Sequence, residues 1–260
     1  LVLVRHGQSD GNWAMDLIRK GRYSEIPTNM HGVPGWQWRL TETGVAQAIA
    51  TGNWMRQECL QFDTAMVSPY IRAIETAFHL RLPNEWRFRL EPREREYGTM
   101  DYVPYPDELE ENMRLRSKRK SNPLFWSPPG GESIVQAMAR VDRLHQTLHR
   151  EHENDSVVVV CHGETILASI LLLCRLTPED FYEMRGRNDN LLEIKNCQVV
   201  QFTRVNPENG RVSEHLDWVR SSCPSKEGCG TDTGWMGVNR KLLGRSSLES
   251  IVARYPRYSG

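Results

Sequence analysis

Two short runs of almost purely apolar, mostly β-branched residues each end on a histidine and a glycine. Leu1-Val2-Leu3-Val4 runs into Arg5-His6-Gly7, and four consecutive valines from Val157 run into Cys161-His162-Gly163. Apolar at every position rather than every second one, such runs fit strands buried on both faces. That requires helices on both sides of a largely parallel sheet. Ligands of such sheets sit beyond the carboxyl ends of the strands, which is where both imidazoles fall.

The rest of the chain fits this frame. Residues 43–58 have helical composition, 63–67 read as a strand stopping at Ser68-Pro69, 70–80 suit a helix and 87–91 an extended segment. Ile134, Ala137, Met138, Val141, Leu144 and Leu148 recur at helical spacing behind Ser133, a natural N-cap. An apolar helix over 165–174 and strands at 191–194 and 198–202 complete the expectation of a three-layer α/β/α sandwich with a mostly parallel central sheet. Three stretches read as irregular: 21–38, 97–131 and 221–237, rich in Gly, Pro or small polar residues. Ser246-Ser247-Leu248-Glu249 forms a capping box, with Ile251, Val252 and Tyr255 on one helical face beyond it. We therefore expect a catalytic domain over 1–218 and a C-terminal extension with a short helix over 219–260.

Composition narrows the function classes. With 33 Lys+Arg against 33 Asp+Glu, a pI near 7.2 and a mean hydropathy of −0.57, the surface is not built for nucleic acid or acidic membrane, so any polyanion must meet a local cluster. The longest nearly apolar run falls far short of the roughly 20 residues that span a bilayer. Six cysteines without a Cys-x-x-Cys pair, three of them in apolar stretches, suggest reduced thiols and a cytoplasmic protein. The chain opens at Leu1 inside an apolar run, the look of a trimmed sequence, so a preceding targeting segment stays open.

A single histidine at a strand end is commonly a hydrogen-bonded packing residue; two in the same context, one flanked by Arg5, point to chemistry on an anion. Arg72 sharpens this, since it falls in the first turn of a helix behind a third strand end. The helix dipole disfavours a cation there unless an anion is bound beside it. No carboxylate cluster of a two-metal phosphatase and no Gly-rich Lys loop is present. The cysteine-phosphatase pattern also fails, because Leu167 stands where Cys161 would need an arginine. Arg93-Glu94-Arg95-Glu96-Tyr97-Gly98 supplies two carboxylates, which an extended segment would point to one side, so alternation does not choose between them.

In order along the chain, Leu3-Val4-Arg5-His6-Gly7-Gln8-Ser9 with Asn12, Leu40-Thr41-Glu42-Thr43-Gly44 with Gln47-Ala48, Ser68-Pro69 with Arg72-Ala73 and Thr76-Ala77, Glu94 before Gly98, Gly130-Gly131-Glu132-Ser133 and Val160-Cys161-His162-Gly163 resemble the landmarks of the histidine phosphatase, or phosphoglycerate mutase-like, superfamily. The resemblance covers about residues 1 to 204. It implies that His6 attacks phosphorus and becomes a phosphohistidine, and that Arg5, Arg72 and His162 hold the equatorial oxygens. Asn12 and Ser9 add hydrogen bonds, and Gly163 leaves its backbone open to the phosphate. It also selects Glu94 as the general acid and leaves Glu96 to an ion pair with Arg93 or Arg95.

The expected activity is a phosphoric monoester hydrolase acting on a small-molecule phosphate monoester, without cofactor or metal. No nucleic-acid or membrane partner is expected, and a homodimer is left open. A mutase is the alternative, disfavoured because the stretch from Glu94 to His162 is short for an extended lid; a catalytically inactive binding module is the third. Turnover of p-nitrophenyl phosphate separates enzyme from module, and 3-phosphoglycerate with its bisphosphate primer separates mutase from phosphatase. Residues 21–38 and 97–127 are expected to wall the site. Arg114, Arg116, Lys118, Arg119 and Lys120 are set to overhang it or to form a solvated helix face, and Trp36, Trp38 and Trp126 to line it or to pack. His31, His79, His145, His149, His152 and His215 have no counterpart in the family landmarks, and Cys223 with Cys229 lacks zinc spacing.

Overall fold

In the computed structural model, which describes residues 1–225 and 232–258, the two apolar runs lie side by side. β1 (Val2–Arg5) and β4 (Val157–Cys161) pair in parallel with Arg5 opposite Cys161. β2 (Thr64–Val67) flanks β4, and the short β3 (Trp86–Phe88) closes that edge, both parallel. On the other side β5 (Val199–Thr203), β6 (Trp218–Ser222) and β7 (Met236–Gly237) add antiparallel, giving a seven-stranded sheet of order β3-β2-β4-β1-β5-β6-β7. The sheet is parallel at its centre and antiparallel on the β5 side.

Alternate residues of the central strands feed two cores. Leu3, Met66, Val157, Val159 and Cys161 pack against Leu144 and Leu148 of α5 (Ile134–Glu151) and Ile166 and Ile170 of α6 (Gly163–Leu173). Val2, Val4, Ala65, Val67, Val158 and Val160 pack against Met55 of α2 (Glu42–Gln57) and Ala73, Ala77 and Leu80 of α3 (Ile71–Leu80). Each fully buried Val, Leu, Ile or Met side chain among them contributes about 1.5–3 kcal/mol over leaving it in water. Ser133 caps α5 in a reciprocal pair with Gln136, as its position in the sequence suggested.

Several expectations are corrected. The irregular 97–131 stretch contains a helix, α4 (Leu109–Ser121). Its sequence has no apolar stripe; helix-forming residues, acids in the first turn (Glu110, Glu111) and cations in the last (Lys118, Arg119, Lys120) support it instead. Before it in the chain, a helix, α1 (Asp10–Arg19), precedes the irregular stretch, and 21–38 folds into three short 3₁₀ turns. These insertions share a small core of Ala14, Leu17, Ile18, Ile26 and Val103. Residues 191–194 form no strand: Leu191 is buried beside α7 (Pro178–Gly186), and the carbonyl of Ile194 accepts from Arg5 rather than from a ladder partner.

The expected boundary after residue 218 falls inside β6, so the sheet runs on into the presumed extension. β6 stays because Arg220 is held by Glu58 and Asp232, and because its buried Val219 and Ser221 pair with β5. The final helix, α8 (Arg245–Val252), is capped at Gly244, which places Ser246 inside its first turn rather than at a capping box. It is tied to α7 of the same chain by Lys241–Asp180 and Arg254–Glu179 pairs. Cys229 lies outside the described residues. Among the described residues no helix is long and apolar enough to cross a membrane.

The loop after β1 is pressed onto the start of α2, backbone against backbone. A methyl group on Gly7 would enter the carbonyl of Gly44, and one on Gly44 would enter that of Gln8. Gly44→Ala should therefore lose about 1–3 kcal/mol in urea unfolding through overpacking, whereas Gly186→Ala, with open space around it, should lose nothing measurable. Equal midpoints for Gly44→Ala and the wild type would contradict this packing.

Candidate active site

His6 follows the last residue of β1, and its backbone is pinned from three sides: its N–H donates to Cys161 O, and its carbonyl accepts from Asn196 Nδ2 and Cys197 N. Gly7 N donates to Thr76 Oγ1 and Gln8 N to Gln47 Oε1, so α3 and α2 hold the turn that carries the imidazole. The ring is 1% exposed. Its Nδ1 stands 2.7 Å from Gly7 O, while Nε2 accepts from Arg72 Nε at 3.1 Å. A carbonyl can only accept and a guanidinium N–H can only donate, so the proton sits on Nδ1 and the lone pair on Nε2. Burial, then the charges of Arg72 and Arg5, hold His6 well below the ordinary histidine value. The imidazole is neutral and its outward nitrogen is nucleophilic.

His162, fully buried at the end of β4, stands with its ring centroid 5.1 Å from that of His6. Ser68 Oγ lies 2.8 Å from its Nε2 and accepts from Tyr70 N, so the hydroxyl proton is free to donate to Nε2. That leaves Nδ1–H as a donor into the site, buried, without a partner and 3.7 Å from Glu94 Oε2. Arg72, in the first turn of α3, also donates to Gly35 O at 2.6 Å and lies 3.8 Å from Glu94. Arg5 donates to Ile194 O at 2.7 Å, and its Nε is buried without a partner. Donors kept dry and unpaired around one void are the arrangement an anion would satisfy. Burial raises the Glu94 carboxyl above its ordinary value; Arg72 opposes this and Glu164 adds to it.

The other expected residues gather at the same cleft, which has a volume of about 640 Å³. Ser9 caps α1, accepting from Asn12 N, and Asn12 Oδ1 accepts from Ser9 N and Asn196 Nδ2, so the Asn12 amide protons remain to meet a ligand. Gly163 is the first residue of α6, where a Cβ would sit 3.4 Å from Arg5 Nε. Glu96 does not share a side with Glu94: the segment is not a strand, and Glu96 is exposed and paired with Arg93 at 2.7 Å. Of the two expected walls, 21–38 contributes Trp38, and 97–127 contributes Tyr97, Met100, Asp101, Arg116 and Arg119. Burial raises Asp101 to about 6, against the pull of Arg72. Trp36 is largely exposed. Burial drives the Cys161 thiol far up, which suits a packed strand residue and not a nucleophile. Sequence reasoning missed Ser68 as the partner of His162, Asn196 as a brace, and Glu164, which lines the cleft. Ser68 and Thr76 stood within the family landmarks, but their roles depend on contacts across the sheet.

His6, Glu94 and His162 place one potential metal-ligand atom each within 4.8 Å of one another. A cation there would face the guanidinium groups of Arg5 and Arg72, whose charges already act on His6, so the surroundings suit an anion.

The model of the histidine phosphatase superfamily, branch 1, matches residues 1–201, and the chain belongs to this family. A 2,3-bisphosphoglycerate-dependent phosphoglycerate mutase from Brucella canis is 33% identical over 193 residues, covering 69% of this chain and 83% of that one. A mutase of the same name from Beijerinckia indica is 31% identical over 196 residues, 71% of this chain and 85% of the other. Among solved structures, a mycobacterial glucosyl-3-phosphoglycerate phosphatase in complex with VO3 superposes with a TM-score of 0.58 at 24% identity, covering 78% and 92% of the two chains. A phosphoserine phosphatase from Entamoeba histolytica gives 0.57 at 19% identity, over 93% and 98%. The structural likenesses establish the shared fold.

Nitrogen-15 NMR of the imidazole rings should show His6 in its Nδ1–H form with no titration near the ordinary histidine value of about 6.5. A His6 signal that protonates at that pH would contradict the lowered value and the locked tautomer.

Proposed function

We propose that the protein is a metal-independent phosphatase of small phosphate monoesters, acting through a phosphohistidine on His6. The observation that carries this reading is the Gly7 lock on Nδ1, which leaves a neutral imidazole whose Nε2 lone pair, met by Arg72 Nε, stands beside Arg5 Nε and His162 Nδ1, both buried without a partner.

In the first step Nε2 forms a bond to phosphorus as the ester P–O bond breaks, and Glu94, whose affinity for a proton burial raises, acts in its acid form and gives that proton to the leaving alkoxide. Arg5, Arg72 and the His162 Nδ1–H stabilise the three equatorial oxygens, with Asn12, Ser9 and the Gly163 backbone at the rim. Glu94, now a carboxylate, takes a proton from water, whose oxygen attacks phosphorus, frees His6 and releases inorganic phosphate. Mutase chemistry is the second reading, favoured by the name of the relatives that share about a third of this sequence. It requires the phosphohistidine to be kept from water while the substrate turns. Here the chain between Glu94 and α5 carries a single α-helix, α4, with Asn112 its one buried residue, which is little for an extended lid and favours hydrolysis.

Brief exposure to substrate followed by an alkaline quench should leave acid-labile phosphate on His6; label on another residue, or full activity in His6→Ala, would falsify the mechanism. Glu94→Gln should slow an alkyl phosphate by on the order of 10² to 10⁴, and p-nitrophenyl phosphate, whose leaving group needs no proton, much less. For the alkyl ester, kcat/KM should rise as pH passes the lowered His6 value and fall as pH passes the raised Glu94 value. The alkaline fall should vanish in Glu94→Gln. Equal losses on both esters would make Glu94 a phosphate-positioning residue instead.

A further inference from the structure

Beyond the phosphate pocket the cleft holds a carboxylate that the proposed chemistry does not use. Glu164 is the second residue of α6, two positions after His162. An acid at a helix N-terminus suits the dipole and could rest in water with no further partner. Glu164 instead lines the cleft, where its Oε1 accepts from Arg119 of α4 and its Oε2 is buried without a partner. Arg119 also donates to the Tyr97 hydroxyl. Facing the same carboxylate is the charge of Arg95, which is 1% exposed. All three of its nitrogens lack a hydrogen-bond partner, and its guanidinium stacks over the rings of Tyr97 and Trp126 at 4.7 and 5.9 Å. Arg119 and Arg95 hold Glu164 below the ordinary carboxylate value although burial alone would raise it. The remaining cations of the cleft are engaged or near water. Arg19 is exposed and paired with Asp16, Arg185 is exposed, and Arg116 is bonded to Asn112 and stacked over Tyr97. Among the described residues, the deep positive charges beyond Arg5 and Arg72 thus converge on a carboxylate supplied by the chain itself.

We propose that Glu164 is a specificity-determining residue: it fills the arginine pocket beyond the phosphate site, so the cleft takes phosphomonoesters whose organic part carries no second anionic group and discriminates against those that carry one. This rests on the phosphatase reading of His6. A second anion reaching Arg119 would have to displace Glu164, leaving a buried carboxylate without its cation, or lie against it as a like charge. Both arrangements oppose binding.

Glycerol 3-phosphate and 3-phosphoglycerate share the same phosphorylated CH₂O end and differ in a hydroxymethyl against a carboxylate. The wild type should favour glycerol 3-phosphate by about tenfold or more in kcat/KM. Glu164→Gln, which keeps the shape and removes the charge, should shrink that ratio about tenfold, mainly through KM for 3-phosphoglycerate. Because both esters are read on one protein, any effect of Glu164 on Glu94 or His162 cancels in the ratio. Arg119→Gln, which leaves the carboxylate uncompensated, should widen it. A wild type that prefers 3-phosphoglycerate would overturn the proposal even if Glu164→Gln does not fold, and so would an unchanged ratio in a folded Glu164→Gln. Titration calorimetry of His6→Ala, with and without Glu164→Gln, with the same two esters reads the selectivity as a ratio of Kd values without turnover. Loss of hydrolysis on both esters would therefore count against the phosphatase reading, while the Kd ratio still decides the role of Glu164.

Discussion

The donation of Arg72 Nε to His6 Nε2, with the far side of the ring locked on Gly7 O, is the contact on which the rest of the structure depends. A guanidinium within hydrogen-bond reach keeps a buried imidazole neutral, and the imidazole in turn gives a buried guanidinium an acceptor. Arg72 is buried and Arg5 has its Nε buried, which is costly for charged groups unless something offsets it. Carbonyls of Gly35 and Ile194 satisfy part of that demand. The donors left unpaired, Arg5 Nε and His162 Nδ1, favour an anion, and the phosphate dianion of the proposed reaction would satisfy them.

The sheet makes this arrangement possible. Parallel pairing puts Arg5 opposite Cys161, so the residues that follow, His6 and His162, leave the sheet at the same level and meet at 5.1 Å. The third strand end, after β2, supplies Ser68 for His162 and launches α3 with Arg72 in its first turn. Three strand ends on one edge of a rigid layer fix three groups without using a flexible loop. The loop that carries His6 is held by Thr76, Gln47 and the glycine contact with α2. Those residues matched family landmarks, and their shared task is to hold the backbone under His6.

How far the sequence discloses this varies with the range of the interaction. β1 and β4 were readable because a strand buried on both faces must be apolar throughout, and α5 because its stripe and its Ser133 cap are local signals. The polar helix α4 was not, since nothing in its pattern distinguishes a helix carried by propensity and end charges from a solvated run. Residues 191–194 misled for the opposite reason: Leu191, Leu192 and Ile194 are apolar, yet they join a core cluster with Met184 of α7, and Ile194 gives its carbonyl to Arg5. Alternation left Glu94 and Glu96 undecided and the family landmarks chose Glu94; in the structure the irregular backbone and the Arg93 pair separate the two. Glu164, Asn196 and the Arg119 contact join residues tens to nearly two hundred positions apart, and no local spacing encodes them.

The central claim is that phosphoryl transfer occurs in two displacements, with His6 standing between ester and water. The stereochemical course at phosphorus tests it most directly. An ester made chiral at phosphorus with oxygen isotopes, its phosphoryl group passed to an alcohol acceptor by the wild-type protein, should emerge with net retention, because two in-line displacements each invert. Net inversion would mean a single direct attack and would contradict a phosphohistidine on this path.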